Sequence, residues 1–298
     1  MTPRLTPRPT KPAASPLPPT ADLATAAWER VERARNLHRP RTSNYITALC
    51  TEFVPLHGDR LFGDDPAIIG GIARFNGRSV IVMGHQRSDE AKEAVRYNFG
   101  MPKPEGYRKA RRLLAHAEKF GFPVLSFIDT PAADPTLPSE ERGQALAIAE
   151  CIAAFLAARV PTVSVVIGQG GSGGALAIGV TDRALMMENA IYAVAPPEAA
   201  ASFLKFAPEQ KRDVAAAMHV AAPESAIFGV VDAVIPERTP AHEDPVGAIA
   251  AVGLALEHHL AALEATYAGS SPGPALDVPR LLDARYAKYR AIGMWDEE

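Results

Sequence analysis

Five of the seven residues at positions 168–174 are glycine, and this segment indicates chemistry more strongly than any other. It follows an apolar, strand-like run at residues 161–167 and precedes a short apolar segment at residues 175–180. Glycine lets the backbone approach a ligand closely, and free N–H groups at a helix start can bind an oxyanion without any side chain. The spacing therefore predicts a backbone oxyanion site between a strand and a helix.

Other functions of glycine-rich segments compete with this interpretation. A phosphate-binding P-loop is excluded, because its Lys and Ser/Thr would have to follow the last glycine, where Ala175 stands. A dinucleotide fingerprint is matched by Gly168, Gly170 and Gly173, and Glu188 lies about 20 residues further on. A lone match of this kind is weak evidence for dinucleotide binding. A third interpretation is that the glycines only allow a helix to pack closely on a strand.

Hydrophobic periodicity predicts that helices and strands alternate around this segment. Asn76-Gly77 separates two strand-like runs and predicts a hairpin, because a type I′ turn needs positive φ at both central residues. Ser139 predicts the N-cap of one long helix that continues to Arg159. The predicted strands are residues 68–75, 79–83, 123–128, 162–167 and 191–194, and the predicted helices are residues 21–36, 104–121, 139–159, 245–267 and 280–291. This alternation indicates the α/β class.

The composition indicates a globular protein without a strongly charged partner surface. The chain has 298 residues, 47% of them hydrophobic, and a formal net charge of -3. Nucleic-acid and membrane surfaces attract concentrated positive charge, and no apolar run reaches the roughly 20 residues that span a bilayer. Cys50 and Cys151 cannot form a disulfide framework or a four-ligand zinc site. We therefore expect a cytoplasmic protein with no metal, nucleic acid or membrane bound to it.

The composition also divides the chain into three regions. Residues 1–20 contain seven prolines and almost no large apolar side chain, so a disordered tail is expected. Residues 21–58 are expected to form a helical accessory or docking region. Residues 59–298 are expected to form the main domain, including the C-terminal helices.

Several further sequence blocks, together with the glycine segment, form a distinctive pattern. They are GHQ at residues 84–86, NFGMPKPEGYRK at residues 98–109, FIDTP at residues 127–131, EERGQ at residues 140–144 and VIGQGGSGGALAIG at residues 166–179. Together, within residues 59–237, these blocks resemble the carboxyltransferase alpha subunit of bacterial acetyl-CoA carboxylase. The resemblance implies a crotonase-like α/β fold, which is a spiral of strand-strand-helix units with flanking helices.

The resemblance also implies a reaction and a set of partners. The family moves a carboxyl group from carboxybiotin, attached to a carrier protein, to acetyl-CoA, and the product malonyl-CoA serves fatty-acid synthesis. The chain would then be an acyl-CoA carboxyltransferase component that is active only with a beta subunit. Its implied partners are that subunit, the biotin carboxyl carrier protein and acetyl-CoA or malonyl-CoA, in an alpha2-beta2 heterotetramer. Zinc is expected in the beta subunit, which has a four-cysteine zinc ribbon.

Gly173 and Gly174 are the catalytic residues that the resemblance implies, because the matching backbone N–H groups of the family form an oxyanion hole for biotin. Loss of one such donor typically lowers the rate about 100-fold to 1000-fold. Structural hydrogen bonding and turn formation are open alternatives for the side chains that follow the neighbouring strands. The implied substrate- and cofactor-binding residues are Gly170, Gly171, Ser172, His85, Gln86, Arg87, Asp129, Thr130 and Pro131.

The chain departs from the family's pattern after Asp-Thr-Pro. Residues 132–136 lack the two glycines and the aromatic residue of that loop in the family. Two alternatives therefore stay open, namely a diverged paralogue that acts on another acyl-CoA and a non-catalytic assembly subunit. A more remote alternative, based on the dinucleotide fingerprint, is an NAD-dependent enzyme.

Overall fold

The computed structural model describes residues 21–269 and 276–293, so the predicted N-terminal tail lies outside the described residues. A mixed sheet with strand order β1-β2-β3-β4-β5-β6-β8 forms the centre, and β7 pairs with β5 beside this path. The strands are β1 (Cys50–Pro55), β2 (Ile68–Phe75), β3 (Arg78–His85), β4 (Val124–Thr130), β5 (Thr162–Gly171), β6 (Arg183–Met187), β7 (Ile191–Ala193) and β8 (Ala233–Ile235).

Helices cover the sheet and connect its strands. The helices are α1 (Ala21–Arg35), α2 (Thr42–Leu49), α3 (Ala91–Arg96), α4 (Pro104–Phe120), α5 (Leu137–Glu141), α6 (Gln144–Ala157), α7 (Ser172–Leu176), α8 (Pro197–Phe203), α9 (Lys211–Ala217), α10 (Ala222–Ile227), α11 (Pro245–Thr266) and α12 (Val278–Arg290). The pairs β1–β2 and β2–β3 are antiparallel, and the sheet is parallel from β3 onward. The carboxyl ends of β3, β4 and β5 therefore meet at one edge of the sheet.

The predicted hairpin is confirmed. β2 and β3 pair in register up to Phe75 opposite Arg78, so the connection contains only Asn76 and Gly77. Their φ angles are 47° and 77°. Both central residues of the turn therefore have the left-handed conformation that Asn-Gly favours.

The prediction of one continuous helix at residues 139–159 is wrong. The chain forms α5 and α6 instead, and Gly143 between them has a φ of 79°. Ser139 is not an N-cap, because it lies inside α5 and its hydroxyl donates to Asp134 Oδ2 at 2.6 Å. The buried amide of Gln144 donates to the carbonyls of Pro102 and Asp134 at 2.8 and 3.0 Å. The first side chain of α6 is thereby tied to the segments that precede α4 and α5.

The strand predicted at residues 162–167 is longer than expected. β5 continues to Gly171, because Gly170 pairs with Thr130 of β4, and Gly171 pairs with Ala193 of β7. The first half of the glycine segment is therefore strand, and α7 begins directly after it. The segment changes from strand to helix without an intervening loop.

α11 is long and apolar enough to cross a membrane by length and composition alone. One such helix is weak evidence, because the core helices of soluble proteins can have the same length and composition. One stripe of α11 packs against the sheet. Its buried residues are Ala248, Val252, Leu256, Leu260 and Leu263. Their spacing of three to four residues is that of a helix that packs along one face.

A buried ion pair attaches α12 to the sheet. Arg285 is 1% exposed and donates to both carboxylate oxygens of Asp182, at 2.8 and 2.7 Å. The same guanidinium donates to the carbonyls of Ala158 and Phe155, at 2.6 and 3.0 Å. Asp182 also accepts from the backbone N–H of Thr162, which is the first residue of β5. Arg285 therefore satisfies carbonyls at the end of α6, and Asp182 satisfies the backbone N–H at the start of β5.

Arg285→Met is expected to lower the free energy of unfolding by about 3 to 5 kcal/mol, because it leaves the Asp182 carboxylate buried without a counter-ion. Urea unfolding of the full chain measures this change. Arg290→Met, at an exposed arginine near the end of the same helix, is the control and should change stability by less than about 0.5 kcal/mol. A loss at Arg285 no larger than that of the control would contradict the prediction.

Candidate active site

Asp129 joins the carboxyl ends of three strands. It lies near the end of β4, and its Oδ1 accepts the backbone N–H of Gln169 in β5 at 3.0 Å. The same oxygen accepts from Arg87, two residues after β3, at 3.1 Å. The two side chains of this ion pair are only 9% and 17% exposed. Limited solvent screening makes the pair a strong constraint on where β5 ends.

Two glycines of the segment stand where no side chain fits. A Cβ at Gly171 would lie 2.0 Å from the carbonyl oxygen of Pro131. A Cβ at Gly174 would lie 2.8 Å from both the hydroxyl of Tyr107 and the backbone N of Ala133. Both distances are shorter than real Cβ contacts, so these glycines permit close packing of the backbone against its neighbours.

Gly173 has a different environment. The nearest atom to a Cβ built there would be Ile148 Cγ2, at 3.4 Å, so a Cβ at Gly173 would make a van der Waals contact with one side chain and would not meet the backbone. Both Gly173 and Gly174 lie in the first turn of α7, where backbone N–H groups have no intrahelical acceptor. Ser172 begins this turn with a φ of 54°, which is the left-handed region. The turn can therefore present backbone donors to an oxygen of a ligand.

An open pocket of about 650 Å³ adjoins this turn. Its walls come from β5–α7, β7 and the segments around α9 and α10. The lining residues are Ser172, Gly173, Leu176, Tyr192, Ala193, Val194, Met218, His219, Ser225, Phe228 and Val230. Mostly apolar walls with a few polar groups are typical of a site for a small organic molecule, and the volume is in the usual range.

The residues predicted for the site are divided between several places. Ser172 and Gly173 line the large pocket. A narrow crevice nearby, with a volume of about 10 Å³, is lined by residues from β4, β5 and α1. The predicted residues in this crevice are Thr130, Pro131, Gly170 and Gly171. The remaining predicted residues, which line neither space, are His85, Gln86, Arg87, Asp129 and Gly174.

Gln86 and Thr130 have structural hydrogen bonds. The side-chain amide of Gln86 accepts from the backbone N–H of Ser43 and donates to its hydroxyl, both at 3.1 Å. Gln86 thus connects the end of β3 to α2. The hydroxyl of Thr130 donates to the carbonyl of Ala132 at 2.7 Å and accepts from the N–H of the same residue at 3.2 Å. Thr130 thus closes the turn that follows β4.

His85 is buried beneath the glycine segment. The ring is fully buried, and among the described residues its nitrogens make no hydrogen bond of good geometry, although the backbone of Gly174 and Phe127 lies nearby. Burial lowers the pKa of His85 from 6.5 to about 4, and the charge of Asp129 and the backbone of Gly174 and Phe127 offset this lowering only in part. The imidazole is therefore neutral at pH 7 and does not supply a positive charge to the site.

The sequence analysis did not identify several pocket residues. Tyr192 belongs to β7, and His219 and Phe228 follow α9 and α10. These residues lie about 20 to 55 positions after the glycine segment, in short elements whose apolar residues are equally typical of a core. Arg35 at the end of α1 was also missed, and its Nε donates to the side chain of Gln169 at 3.1 Å. No motif in the sequence marks these positions.

The dinucleotide interpretation of the glycine segment lacks structural support. A dinucleotide fingerprint places its glycines in the turn between a strand and a long helix. Here Gly168 and Gly170 lie inside β5, and α7 has only five residues. Glu188, the candidate ribose ligand, accepts the backbone N–H of Glu237 at 2.9 Å.

In the described part of the chain, no group of three or more His, Cys, Asp or Glu residues is placed to hold a metal ion.

Comparisons with known sequences identify related proteins. The profile of the family described as "Acetyl co-enzyme A carboxylase carboxyltransferase-like" matches residues 22–293. The acetyl-coenzyme A carboxylase carboxyl transferase subunit alpha of Heliobacterium modesticaldum is 47% identical over 268 residues, which cover 90% of this chain and 77% of the relative. The protein of the same name from Halalkalibacterium halodurans is 46% identical over 267 residues, which cover 89% of this chain and 79% of the relative.

Comparisons with solved structures identify the same fold. Transcarboxylase 12S, in a structure with hydrolysed methylmalonyl-coenzyme A bound, matches with a TM-score of 0.60 and 22% identity. The match covers 87% of this chain and 49% of the transcarboxylase chain, so this chain spans about half of that protein. A subunit of a Pseudomonas malonate decarboxylase hetero-tetramer, in complex with coenzyme A, matches with a TM-score of 0.59 and 18% identity, over 77% and 90% of the two chains. The predicted crotonase-like α/β fold is confirmed.

His85→Gln is expected to make stability less sensitive to acid. The pKa of about 4 in the folded protein lies below the ordinary value of 6.5, so the unfolded chain binds the proton first as the pH falls. Between pH 7 and pH 5 this difference lowers the free energy of unfolding of the wild type by about 2 kcal/mol.

Urea unfolding at both pH values tests this effect. His85→Gln should lose about 2 kcal/mol less than the wild type over this range. His38→Gln, at an exposed histidine, should behave like the wild type. Equal losses in the wild type and His85→Gln would show that His85 is not held neutral by burial.

Proposed function

The chain belongs to the acetyl-CoA carboxylase carboxyltransferase family, and on that basis we propose that it is the alpha subunit, which transfers a carboxyl group from carboxybiotin to acetyl-CoA. The product of this transfer is malonyl-CoA. Relatives named as this subunit share 45 to 47% of their residues with it over about 90% of its length. The observation that carries the proposal is the position of Gly173, which lies in the first turn of α7 and lines the 650 Å³ pocket.

The pocket is suited to the ureido ring of biotin. The apolar side chains of Leu176, Val194 and Phe228 can contact the fused rings, and polar groups of Ser172 and His219 lie in the same lining. Carboxybiotin supplies the carboxyl group in this reaction. The role of this chain is to bind the ring, to orient it and to stabilise negative charge on its ureido oxygen with backbone N–H groups.

The two glycines proposed as donors are not equivalent. Gly173 lines the pocket, whereas Gly174 is packed against Tyr107 and Ala133. We therefore assign the leading donor role to the N–H of Gly173 and a supporting role to the N–H of Gly174. A side chain at Gly174 would disturb the packing of α7, so a loss of activity there would not report on ligand binding alone. Gly173 is therefore the better position for an experiment.

The altered loop after β4 does not argue against activity. Asp134 donates its backbone N–H to the carbonyl of Pro102 at 3.0 Å, and its carboxylate accepts from the hydroxyls of Thr136 and Ser139 at 2.7 and 2.6 Å. These hydrogen bonds fix the loop without the glycines of other family members. We therefore favour an active subunit over a purely structural one.

The family's partners complete the proposal. We propose that the chain binds a beta subunit, receives the carboxyl donor on a biotin carboxyl carrier protein and acts in an alpha2-beta2 heterotetramer. Zinc would belong to the beta subunit. The reaction would serve fatty-acid synthesis in the cytoplasm.

Exposed apolar residues in the pocket lining and in the neighbouring helices α8 and α10 support the proposed subunit contact. Large apolar side chains there are exposed to an extent that is unusual for a surface that stays in water. They are Leu176 at 41%, Val194 at 78%, Phe203 at 77%, Leu204 at 63%, Ile227 at 71% and Phe228 at 50%. We propose that the beta subunit covers this surface and thereby closes the pocket.

Gly173→Pro is expected to lower the rate about 100-fold or more, because proline removes the backbone N–H that we assign as the main oxyanion donor. The assay is malonyl-CoA-dependent carboxylation of a biotin derivative by the complex of this chain with its beta subunit. Gly173→Ala is the matched control. It keeps the N–H, its Cβ meets only Ile148 at 3.4 Å, and it should lower the rate less than 10-fold.

The two variants distinguish a donor from a spacer. Equal losses in Gly173→Pro and Gly173→Ala would mean that space at this position matters and the N–H does not. If the wild-type complex forms but does not transfer a carboxyl group, the proposed activity is refuted and only an assembly role is left. Thermal unfolding of each complex shows whether the fold is kept.

Val194→Asp is expected to weaken binding of the beta subunit at least 10-fold, because a charge would be placed within an apolar interface. Analytical ultracentrifugation or calorimetry of the two subunits measures the dissociation constant. Leu61→Asp is the control, because Leu61 is equally exposed, at 77%, but lies in the loop between β1 and β2. Equal weakening by both substitutions would contradict the proposed contact surface.

A further inference from the structure

His219 has a backbone conformation that favours glycine. It is the first residue beyond the C-cap of α9, Met218, and its φ is 50°. Its backbone N–H donates to the carbonyl of Ala216 at 3.1 Å, as in a helix that ends with a left-handed residue. Glycine is the usual residue at such a position, because a Cβ is strained there. A side chain at such a position is held there at some cost in conformational free energy.

The imidazole of His219 lies in the lining of the pocket. Its ring makes an edge-on contact with Phe228, with centroids 5.5 Å apart and an interplanar angle of 79°. The same pocket is lined by Ser172 and Gly173 from the start of α7. The side chain is half exposed, so it can reach a ligand.

Glu224 orients the imidazole. Its Oε1 lies 3.4 Å from His219 Nδ1, and its Oε2 accepts the backbone N–H of Ala221 at 3.1 Å. The second contact fixes the carboxylate at the start of α10. A proton on Nδ1 then points to Glu224, and Nε2 is left as an acceptor. The hydrogen bond of His219 to a described residue is made by Nδ1, so Nε2 is available to a ligand.

We propose that His219 is a ligand-binding residue of this pocket and that its Nε2 accepts a hydrogen bond from the ureido N–H of biotin. The inference rests on the proposed function and goes one step beyond it. The backbone at Gly173 would hold the oxygen of the ureido group, and His219 would hold its N–H. Together the two contacts fix the plane of the ring.

Lys205 provides a matched control. It is also the first residue beyond a C-cap, it follows the seven-residue helix α8, and its φ is 58°. Its N–H donates to the carbonyl of Ser202 at 3.1 Å. Lys205 is exposed and is not among the pocket-lining residues. Glycine should therefore relieve the same strain at both positions, but only His219→Gly should affect a ligand in the pocket.

The experiment compares His219→Gly and Lys205→Gly in the complex with the beta subunit. Calorimetry measures the dissociation constant of a biotin derivative, and steady-state assays measure KM for that derivative and for malonyl-CoA. His219→Gly is expected to weaken biotin binding about 3-fold to 10-fold, which corresponds to one neutral hydrogen bond. The KM for malonyl-CoA should stay within 2-fold. Both variants should unfold at the same or a slightly higher temperature than the wild type.

Two results would overturn the inference about His219. Unchanged biotin binding with a raised unfolding temperature would mean that His219 causes strain without binding a ligand. A parallel loss for both substrates with a lowered unfolding temperature would mean a structural role. Calorimetry does not depend on turnover, so it tests His219 even if the wild-type complex transfers no carboxyl group. Such inactivity would refute the proposed function alone.

Discussion

The carboxylate of Asp129 is the constraint on which the geometry of this site depends. One oxygen accepts the backbone N–H of Gln169 and also pairs with Arg87, so a single atom relates the ends of β3, β4 and β5. This approach requires Gly168, because a Cβ there would lie 2.5 Å from the same oxygen. The direction of β5 fixes the first turn of α7, and that turn carries the proposed donors. An ion pair at the strand ends thus positions a site that contains little side-chain chemistry of its own.

The glycine segment combines two functions that were considered as alternatives. Gly168, Gly171 and Gly174 lie against an oxygen, a backbone carbonyl and a tyrosine hydroxyl, and their lack of a side chain permits that packing. Gly173 faces the pocket, where the lack of a side chain leaves the backbone accessible. The packing interpretation and the oxyanion interpretation therefore apply to different residues of one segment. A count of glycines cannot separate them, because the difference lies in the residues across from each glycine.

The sequence predicted local structure better than it predicted the pocket. The hairpin at Asn76-Gly77 follows from turn chemistry, and the helix predicted at residues 104–121, observed as Pro104–Phe120, follows from periodicity. Both signals act over a few residues. The break at Gly143 was missed, because local capping signals do not show the tertiary contacts of Gln144, whose amide donates to carbonyls 42 and 10 residues earlier in the chain. For the same reason the sequence indicated the strand ends of the site but not His219, whose contacts arise only from the packing of short helices.

The N-terminal helical region shows how composition can understate a structural role. Arg39 donates from Nε and Nη2 to the carbonyl of Ile167, at 3.2 and 3.0 Å, directly before the glycine segment. Its charge is balanced by Glu237, and both side chains are almost fully buried. Burial opposes ionisation of Glu237, but the hydrogen bonds from Arg39 hold the pKa of its carboxyl below the usual value. Arg35 reaches Gln169 from the same region. The boundary at residue 58 remains a prediction. The end of β5 is held by side chains from both sides of this boundary. The region that the composition identified as accessory therefore helps to support the site.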